Sequence, residues 1–132
     1  MGQATGQAMP RRQILIIDQD DEARHLAGVL FEESDLLPVD CDTVDDAMQR
    51  LETSGDRVAA VFVDLDAAGS AATDLVERVH AECPWVRVIA TGGDDSPRLD
   101  TGDRFMPKPW LPLDLLIAAE TAAGRPLPGK PH

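Results

Sequence analysis

The apolar residues of this chain fall into short runs that are bounded by charged or turn-forming positions. In the clearest of them, at residues 58–63, six consecutive apolar residues lead directly into Asp64, Leu65 and Asp66. Such a run is too short to cross a membrane, and its compact and β-branched side chains are unlike those of a surface helix. It therefore predicts a central β-strand that is covered on both faces and that ends on a carboxylate, Asp64.

The same kind of pattern predicts further strands and helices along the chain. The strands are predicted at residues 14–17, 37–41, 86–90 and 104–106. Apolar residues at the spacing of an amphipathic helix occupy residues 23–31, 44–51, 75–83 and the stretch from 113 onward. Two stretches break the pattern. Residues 67–70 are small and predict a loop, and residues 93–104 contain glycines and a proline that predict a loop or a single turn.

Strands and helices alternate along the chain, and this order predicts an α/β fold with a single, doubly wound, five-stranded parallel sheet and helices on both faces. At 132 residues the chain has room for one domain, which we expect at residues 13–123. The polar, glycine- and proline-rich ends predict disordered tails at residues 1–12 and 124–132.

The chain is strongly acidic, with 24 Asp and Glu residues against 12 Lys and Arg residues and a net charge of −12. A surface of this sign repels a phosphate backbone, so nucleic acid is not an expected partner. No segment has the pattern of a secretory signal or a membrane anchor, and the spacing of Cys41 and Cys83 does not suit a metal site. These features predict a cytoplasmic protein with reduced thiols that does not bind a membrane.

Charged side chains follow three of the predicted strands. In a doubly wound sheet the ligand site lies at the carboxyl ends of the strands, and this edge gathers Asp18, Asp64 and Lys108. Two neighbouring carboxylates favour either a retained proton or a divalent cation, and an all-oxygen set of ligands suits Mg²⁺. With the metal and Lys108 to hold phosphate oxygens, Asp64 can attack phosphorus and form an aspartyl phosphate.

Residues 14–18, 61–64, 88–92 and 105–109 resemble, in order and spacing, the motifs of the receiver domain of bacterial response regulators. The resemblance covers residues 13–123 and implies a CheY-like, flavodoxin-like fold that works in a two-component phosphorelay. It implies that Asp64 accepts a phosphoryl group from a histidine kinase or a histidine phosphotransfer protein, and that Lys108 contacts this group. It further implies that Asp18 helps to place Mg²⁺ and that the backbone carbonyl of Asp66 is a metal ligand. The implied role is signalling and not enzymatic, with a second copy of the chain or a downstream protein as a further partner.

The sequence also departs from the family pattern. Alignment without gaps places Gln19 where the family has a second, metal-binding acid, and an amide oxygen is a weaker Mg²⁺ ligand than a carboxylate. The same count places Gly92 where the family has the Ser or Thr that bonds the phosphoryl group, with Thr91 one residue too early. Phe105 matches the family's aromatic switch residue. The short stretch before it implies that the helix between the fourth and fifth strands is reduced or missing.

Two other functions fit parts of the sequence. Gln19 and Gly92 suit a degenerate receiver that acts as a docking or dimerisation module without taking phosphate. The order Asp64, Leu65, Asp66 resembles the Asp-x-Asp nucleophile motif of haloacid-dehalogenase-type phosphatases, with residues 93–95 as a later acidic motif. That family carries the motif on its first strand and has a longer chain, whereas here two strand–helix units precede it and Asp18 would be unused. The phosphatase hypothesis therefore ranks last.

Overall fold

The computed structural model describes residues 12–18, 20–32, 36–92, 103–108 and 110–123. Apart from Arg12, both predicted tails lie outside these ranges. The same is true of residues 93–102, on which the prediction of a reduced or missing helix falls. Among the described residues, no helix combines the length and the apolar character that a membrane crossing requires.

Five strands form one parallel sheet. They are β1 Gln13–Ile17, β2 Leu37–Cys41, β3 Val58–Asp64, β4 Arg87–Gly92 and β5 Arg104–Pro107. Their order across the sheet is β2-β1-β3-β4-β5, and all neighbouring strands run parallel. The central strand, β3, is buried at every residue, as its apolar run predicts. The predicted α/β fold with a doubly wound, five-stranded sheet is therefore confirmed. The strand order reverses between β1 and β3, which is where a sheet of this type opens a crevice for ligands.

Helices cover both faces of the sheet. They are α1 Asp21–Glu32, α2 Val44–Ser54, a 3₁₀ turn at Gly55–Arg57, α3 Leu65–Ala68, α4 Ser70–Glu82 and α5 Pro112–Ala123. Successive side chains of a strand point to opposite faces, and the core is divided accordingly. Leu15, Val61 and Val63 pack on the side of α2 and α4. Ile16 and Phe62 pack on the side of α1 and α5.

The start of α2 shows why the sequence folds as it does next to the sheet edge. Thr43 has extended backbone angles, and its Oγ1 accepts a hydrogen bond from the backbone N–H of Asp46 at 3.1 Å. This is the arrangement of a helix N-cap, in which a side-chain oxygen satisfies a backbone donor of the first turn. Asp45 and Asp46 in that turn add negative charge where the helix dipole favours it.

The prediction of a loop at residues 67–70 is wrong. Leu65–Ala68 forms one helical turn directly after β3, and α4 begins at Ser70. Alanine is the best helix former, so the small residues here continue the chain as helix. Gly69 separates the two helices with a φ of 60°, a conformation that glycine adopts without the steric cost of a Cβ atom. The turn folds the chain back over the end of the sheet and brings Asp66 next to Asp64.

Candidate functional site

The carboxyl end of β3 delivers Asp64 to the edge of the sheet with its residue surface only 6% exposed. Its Oδ1 accepts the backbone N–H of Asp66 at 2.9 Å, and its Oδ2 lies 2.8 Å from Lys108 Nζ. A buried carboxylate is costly unless it is paired and hydrogen-bonded, and here both oxygens have a partner. These interactions fix the position of the Asp64 carboxylate at the carboxyl end of β3.

Asp18 follows β1 and is also buried, with 4% of its surface exposed. Its Oδ1 accepts the backbone N–H of Asp20 at 2.9 Å. Burial raises the pKa of the Asp18 carboxyl above its ordinary value, against the lowering effect of the hydrogen bond from Asp20, and the negative charge of Asp64 raises it further. Two carboxylates that repel each other at one sheet edge favour a proton or a cation between them.

Lys108 follows β5 and reaches across the edge of the sheet. Its backbone N–H donates to the carbonyl of Gly92 at 3.1 Å, which ties the residue to the end of β4. Its ammonium forms ion pairs with Asp64 at 2.8 Å and with Asp66 at 3.2 Å. The hydrogen bond to Asp64 is the main cause that raises the pKa of Lys108 above its ordinary value, so the side chain is a fixed positive charge at neutral pH. The structure thus brings Asp18, Asp64 and Lys108 to one edge of the sheet.

An open cleft of about 570 Å³ lies over these charged groups, between α1 and the start of α5. Its lining residues are Asp18, Asp20, Ala23, Leu26, Asp64, Lys108, Trp110 and Pro112. The floor is charged and the walls are apolar, as in sites where a few polar groups orient a ligand.

The donor groups fit a magnesium ion that keeps part of its water shell. Within the described ranges, no group of three or more His, Cys, Asp or Glu side chains is placed to hold a metal ion. Mg²⁺ does not require such a cage, because in proteins it is bound through one or two carboxylates and retains several waters. Asp18 and Asp64 supply two carboxylates at one edge, and Gln19, a predicted further ligand, lies outside the described residues.

No protein-family model and no curated protein sequence matches the chain. Solved structures do. A response regulator receiver domain from Clostridium thermocellum has a TM-score of 0.71 at 18% identity, with 85% of this chain and 94% of that chain covered. The receiver domain of an HD domain-containing protein from Pseudomonas fluorescens has a TM-score of 0.71 at 22% identity, over 86% of this chain and 94% of that chain. A CheY-like receiver domain from Methanospirillum hungatei has a TM-score of 0.71 at 20% identity and the same coverage.

The chain has the fold of a receiver domain. The resemblance seen in the sequence is confirmed at the level of the fold, because this chain superposes on nearly the whole length of each of these receiver domains. In this receiver fold, Asp64 ends the third strand and Lys108 follows the fifth, as the resemblance implies. The roles of these residues are a separate matter, which rests on the chemistry of the cleft.

The register of the receiver sheet places Thr91 differently from the count along the sequence. Asp64 on β3 pairs with Thr91 on β4, and Gly92 is one residue beyond. Paired residues of neighbouring parallel strands point to the same face, so the Thr91 side chain lies on the face of Asp64. Its hydroxyl is buried and has no hydrogen-bond partner among the described residues. The register therefore puts the Thr91 side chain, and not position 92, on the face of Asp64, whereas a count along the sequence fixes no strand register. Which of the two positions faces a phosphoryl group stays a prediction.

Phe105 and Asp66 were also predicted from the sequence as functional residues. Phe105 lies on β5, is half-buried and packs against the core on the side of α2 and α4. Asp66 lies in α3, and its side chain is 54% exposed where it approaches Lys108. The sequence predicts a role for the backbone carbonyl of Asp66 only, and gives no sign of the ion pair that its side chain forms with Lys108.

Trp110 and Leu26 line the cleft and were not predicted as site residues. The ring of Trp110 meets the buried ring of Phe62 edge-on, with centroids 5.8 Å apart. Its place in the sequence, two residues after Lys108, is the signal that could have identified it. Leu26 is 47% exposed, and its position on the apolar side of α1 gave no indication that it borders a cleft.

Replacing Asp18 by asparagine is expected to stabilise the metal-free protein at pH 7 by about 1 kcal/mol, because the repulsion with Asp64 disappears while an oxygen still accepts the Asp20 N–H. The pKa of Asp18 is raised in the fold, so this carboxyl favours folding only where it is protonated, and the contribution is lost as the pH rises through the raised pKa. The advantage of asparagine should therefore shrink as the pH falls and vanish only below the ordinary value of 3.8, where the carboxyl is protonated in the unfolded chain as well.

Urea unfolding with a chelator at pH 7 and at pH 4 measures this difference. Glu22→Gln, which removes one exposed acid from α1, is the control and should change the free energy of unfolding by less than about 0.5 kcal/mol. An Asp18→Asn variant that is less stable than the wild type at pH 7 would contradict the prediction.

Proposed function

We propose that this chain is a phosphoacceptor receiver domain of a two-component phosphorelay, in which Asp64 takes a phosphoryl group from a phosphohistidine. The observation that carries the proposal is the pairing of Asp64 Oδ2 with Lys108 Nζ at 2.8 Å at the floor of an open cleft, beside the buried Asp18. A nucleophilic carboxylate, a fixed cation and a second carboxylate are the groups that phosphoryl transfer to an aspartate requires.

In the proposed reaction, a carboxylate oxygen of Asp64 attacks phosphorus and the phosphorus–nitrogen bond of the phosphohistidine breaks. The electron pair of that bond returns to the imidazole, which takes up a proton from solvent, and Asp64 becomes a mixed anhydride. Lys108 donates hydrogen bonds to a transferred oxygen, and the Thr91 hydroxyl, which lies on the same face as Asp64, is a candidate donor to another. Mg²⁺ held by Asp18 and Asp64 would neutralise charge on the phosphoryl oxygens.

The proposal includes the partners and the setting of the domain. The phosphoryl donor is a histidine kinase or a histidine phosphotransfer protein, and the phosphorylated domain signals to a second copy of itself or to a downstream protein in the cytoplasm. The chain is a signalling domain in this proposal and not an enzyme. The apolar walls of the cleft, formed in part by Leu26 and Trp110, suit contact with a protein that brings its histidine to Asp64.

The experiment is incubation of the full chain with acetyl phosphate and Mg²⁺, followed by intact-mass spectrometry. The expected result is the addition of one phosphoryl group, which hydroxylamine removes and which Asp64→Asn does not acquire. Absence of the adduct in the wild type at saturating donor and metal would overturn the proposal and favour the degenerate receiver. Continuous release of phosphate from phosphate esters would favour the phosphatase instead, whose second motif at residues 93–95 lies outside the described residues.

A further inference from the structure

The carboxylate of Asp66 makes a contact that the proposed reaction does not use. Lys108 Nζ lies 3.2 Å from Asp66 Oδ2 and 2.8 Å from Asp64 Oδ2, so one ammonium bridges two carboxylates. The family resemblance gives Asp66 a role through its backbone carbonyl only. That role does not involve the Asp66 side chain, which forms an ion pair with the ammonium that an incoming phosphoryl group would need.

Gly92 lies against the helical turn that carries Asp66. A Cβ atom added at Gly92 would stand 3.5 Å from Asp66 Oδ1 and 3.3 Å from Leu65 Cβ. The second distance is tighter than ordinary van der Waals contact, so a side chain at position 92 would press on α3 at the residue before Asp66. A substitution at Gly92 can therefore shift α3, and the Asp66 carboxylate with it, without changing the charge of the site.

We propose that the Asp66 carboxylate is an internal competitor for Lys108, which holds the ammonium in the unphosphorylated domain and has to yield it when a phosphoryl group arrives on Asp64. The inference rests on the proposed function. Asp66 acts through Lys108 and is a positioning residue. Its negative charge opposes the binding of an anion in the cleft and stabilises the unphosphorylated state.

The size of the effect follows from the exposure of the pair. The Lys108 side chain is 38% exposed and that of Asp66 is 54% exposed, so solvent screens their attraction. Exposed ion pairs of this kind change an equilibrium by about two- to fivefold. We therefore expect Asp66→Asn, which keeps the shape of the side chain and removes its charge, to bind a phosphoryl analogue about two- to fivefold more tightly than the wild type.

The experiment is a titration of the Mg²⁺-loaded chain with beryllofluoride, an analogue of the phosphoryl group. It is followed by tryptophan fluorescence in a Trp85→Phe background, which leaves Trp110 in the cleft wall as the reporter. The matched control is Glu22→Gln, which removes one exposed negative charge from the first turn of α1, at the same edge of the sheet. Its affinity is expected to stay close to that of the wild type, and the difference between the two variants should shrink at high salt.

Gly92→Ala is the second variant, because it keeps the charge of Asp66 and presses on α3 at Leu65, the residue before Asp66. It should also tighten binding of beryllofluoride, and it should add nothing in the Asp66→Asn background. Equal affinities of Asp66→Asn and Glu22→Gln would overturn the inference while the proposed function stands, as would an effect of Gly92→Ala that persists without the Asp66 charge. If the wild type and all variants fail to bind beryllofluoride, the proposed function itself fails.

Discussion

Replacement of Lys108 by methionine is expected to slow the phosphorylation of Asp64 by acetyl phosphate by about a hundredfold or more. The ammonium lies 2.8 Å from Asp64 Oδ2 and is positioned before the reaction begins. Loss of one such preorganised donor, aimed at charge that develops in the transition state, typically costs about 10²- to 10³-fold in rate. Methionine keeps an unbranched side chain of similar length, so the change isolates the charge and the hydrogen bonds. The measurement is the initial rate of adduct formation by intact-mass spectrometry at saturating Mg²⁺.

Lys108→Arg is the matched variant for this prediction. It keeps the positive charge but presents a planar group instead of a compact one, so an intermediate rate is expected. Circular dichroism shows whether each variant is folded, and the arginine variant keeps the comparison informative if methionine disturbs the buried Asp64. A methionine variant that is phosphorylated within about threefold of the wild-type rate would mean that Lys108 does not act on the phosphoryl group.

Much of the site could be predicted because the sheet is parallel and its three central strands are mostly apolar runs. The run at residues 58–63 marks a strand buried on both faces, and Asp64 is the first residue that leaves it. Parallel strands put all such first residues at one edge, so the convergence of Asp18, Asp64 and Lys108 follows from chain order alone. No knowledge of side-chain packing is needed for that step.

The details that were missed depend on register and on contacts across the chain. The pairing of Asp64 with Thr91 is set by how β4 docks against β3, and a one-residue change in this register would bring Gly92 beside Asp64 instead. The helical turn that carries Asp66 passes close to Gly92, a residue 26 positions along the chain, where an added Cβ atom would stand 3.3 Å from Leu65 Cβ. Local propensity cannot show such an approach, since it concerns space between two elements that are distant in sequence.

Phe62 is a buried core residue that contacts Trp110 in the cleft wall. Its replacement by alanine is expected to destabilise the protein by about 3–5 kcal/mol. The side chain is 1% exposed and meets two aromatic rings edge-on, Phe31 at 6.0 Å and Trp110 at 5.8 Å between centroids. Its removal would leave a cavity between β3 and α1 and withdraw support from Trp110, which lines the cleft. Chemical unfolding measures the loss of stability. In a Trp85→Phe background, the fluorescence of the folded variant reports how the surroundings of Trp110 change.

Phe105→Ala is the control for this last prediction, because it removes the same ring from a half-buried position on β5. Less apolar surface returns to water there, so its cost should be clearly smaller than that of Phe62→Ala. Phe62→Leu, which fills most of the cavity, should recover a large part of the lost free energy of unfolding. If Phe62→Ala and Phe105→Ala lowered the free energy of unfolding equally, the prediction would be contradicted. Full burial and the two edge-on ring contacts of Phe62 would then contribute no more stability than the half-buried ring of Phe105.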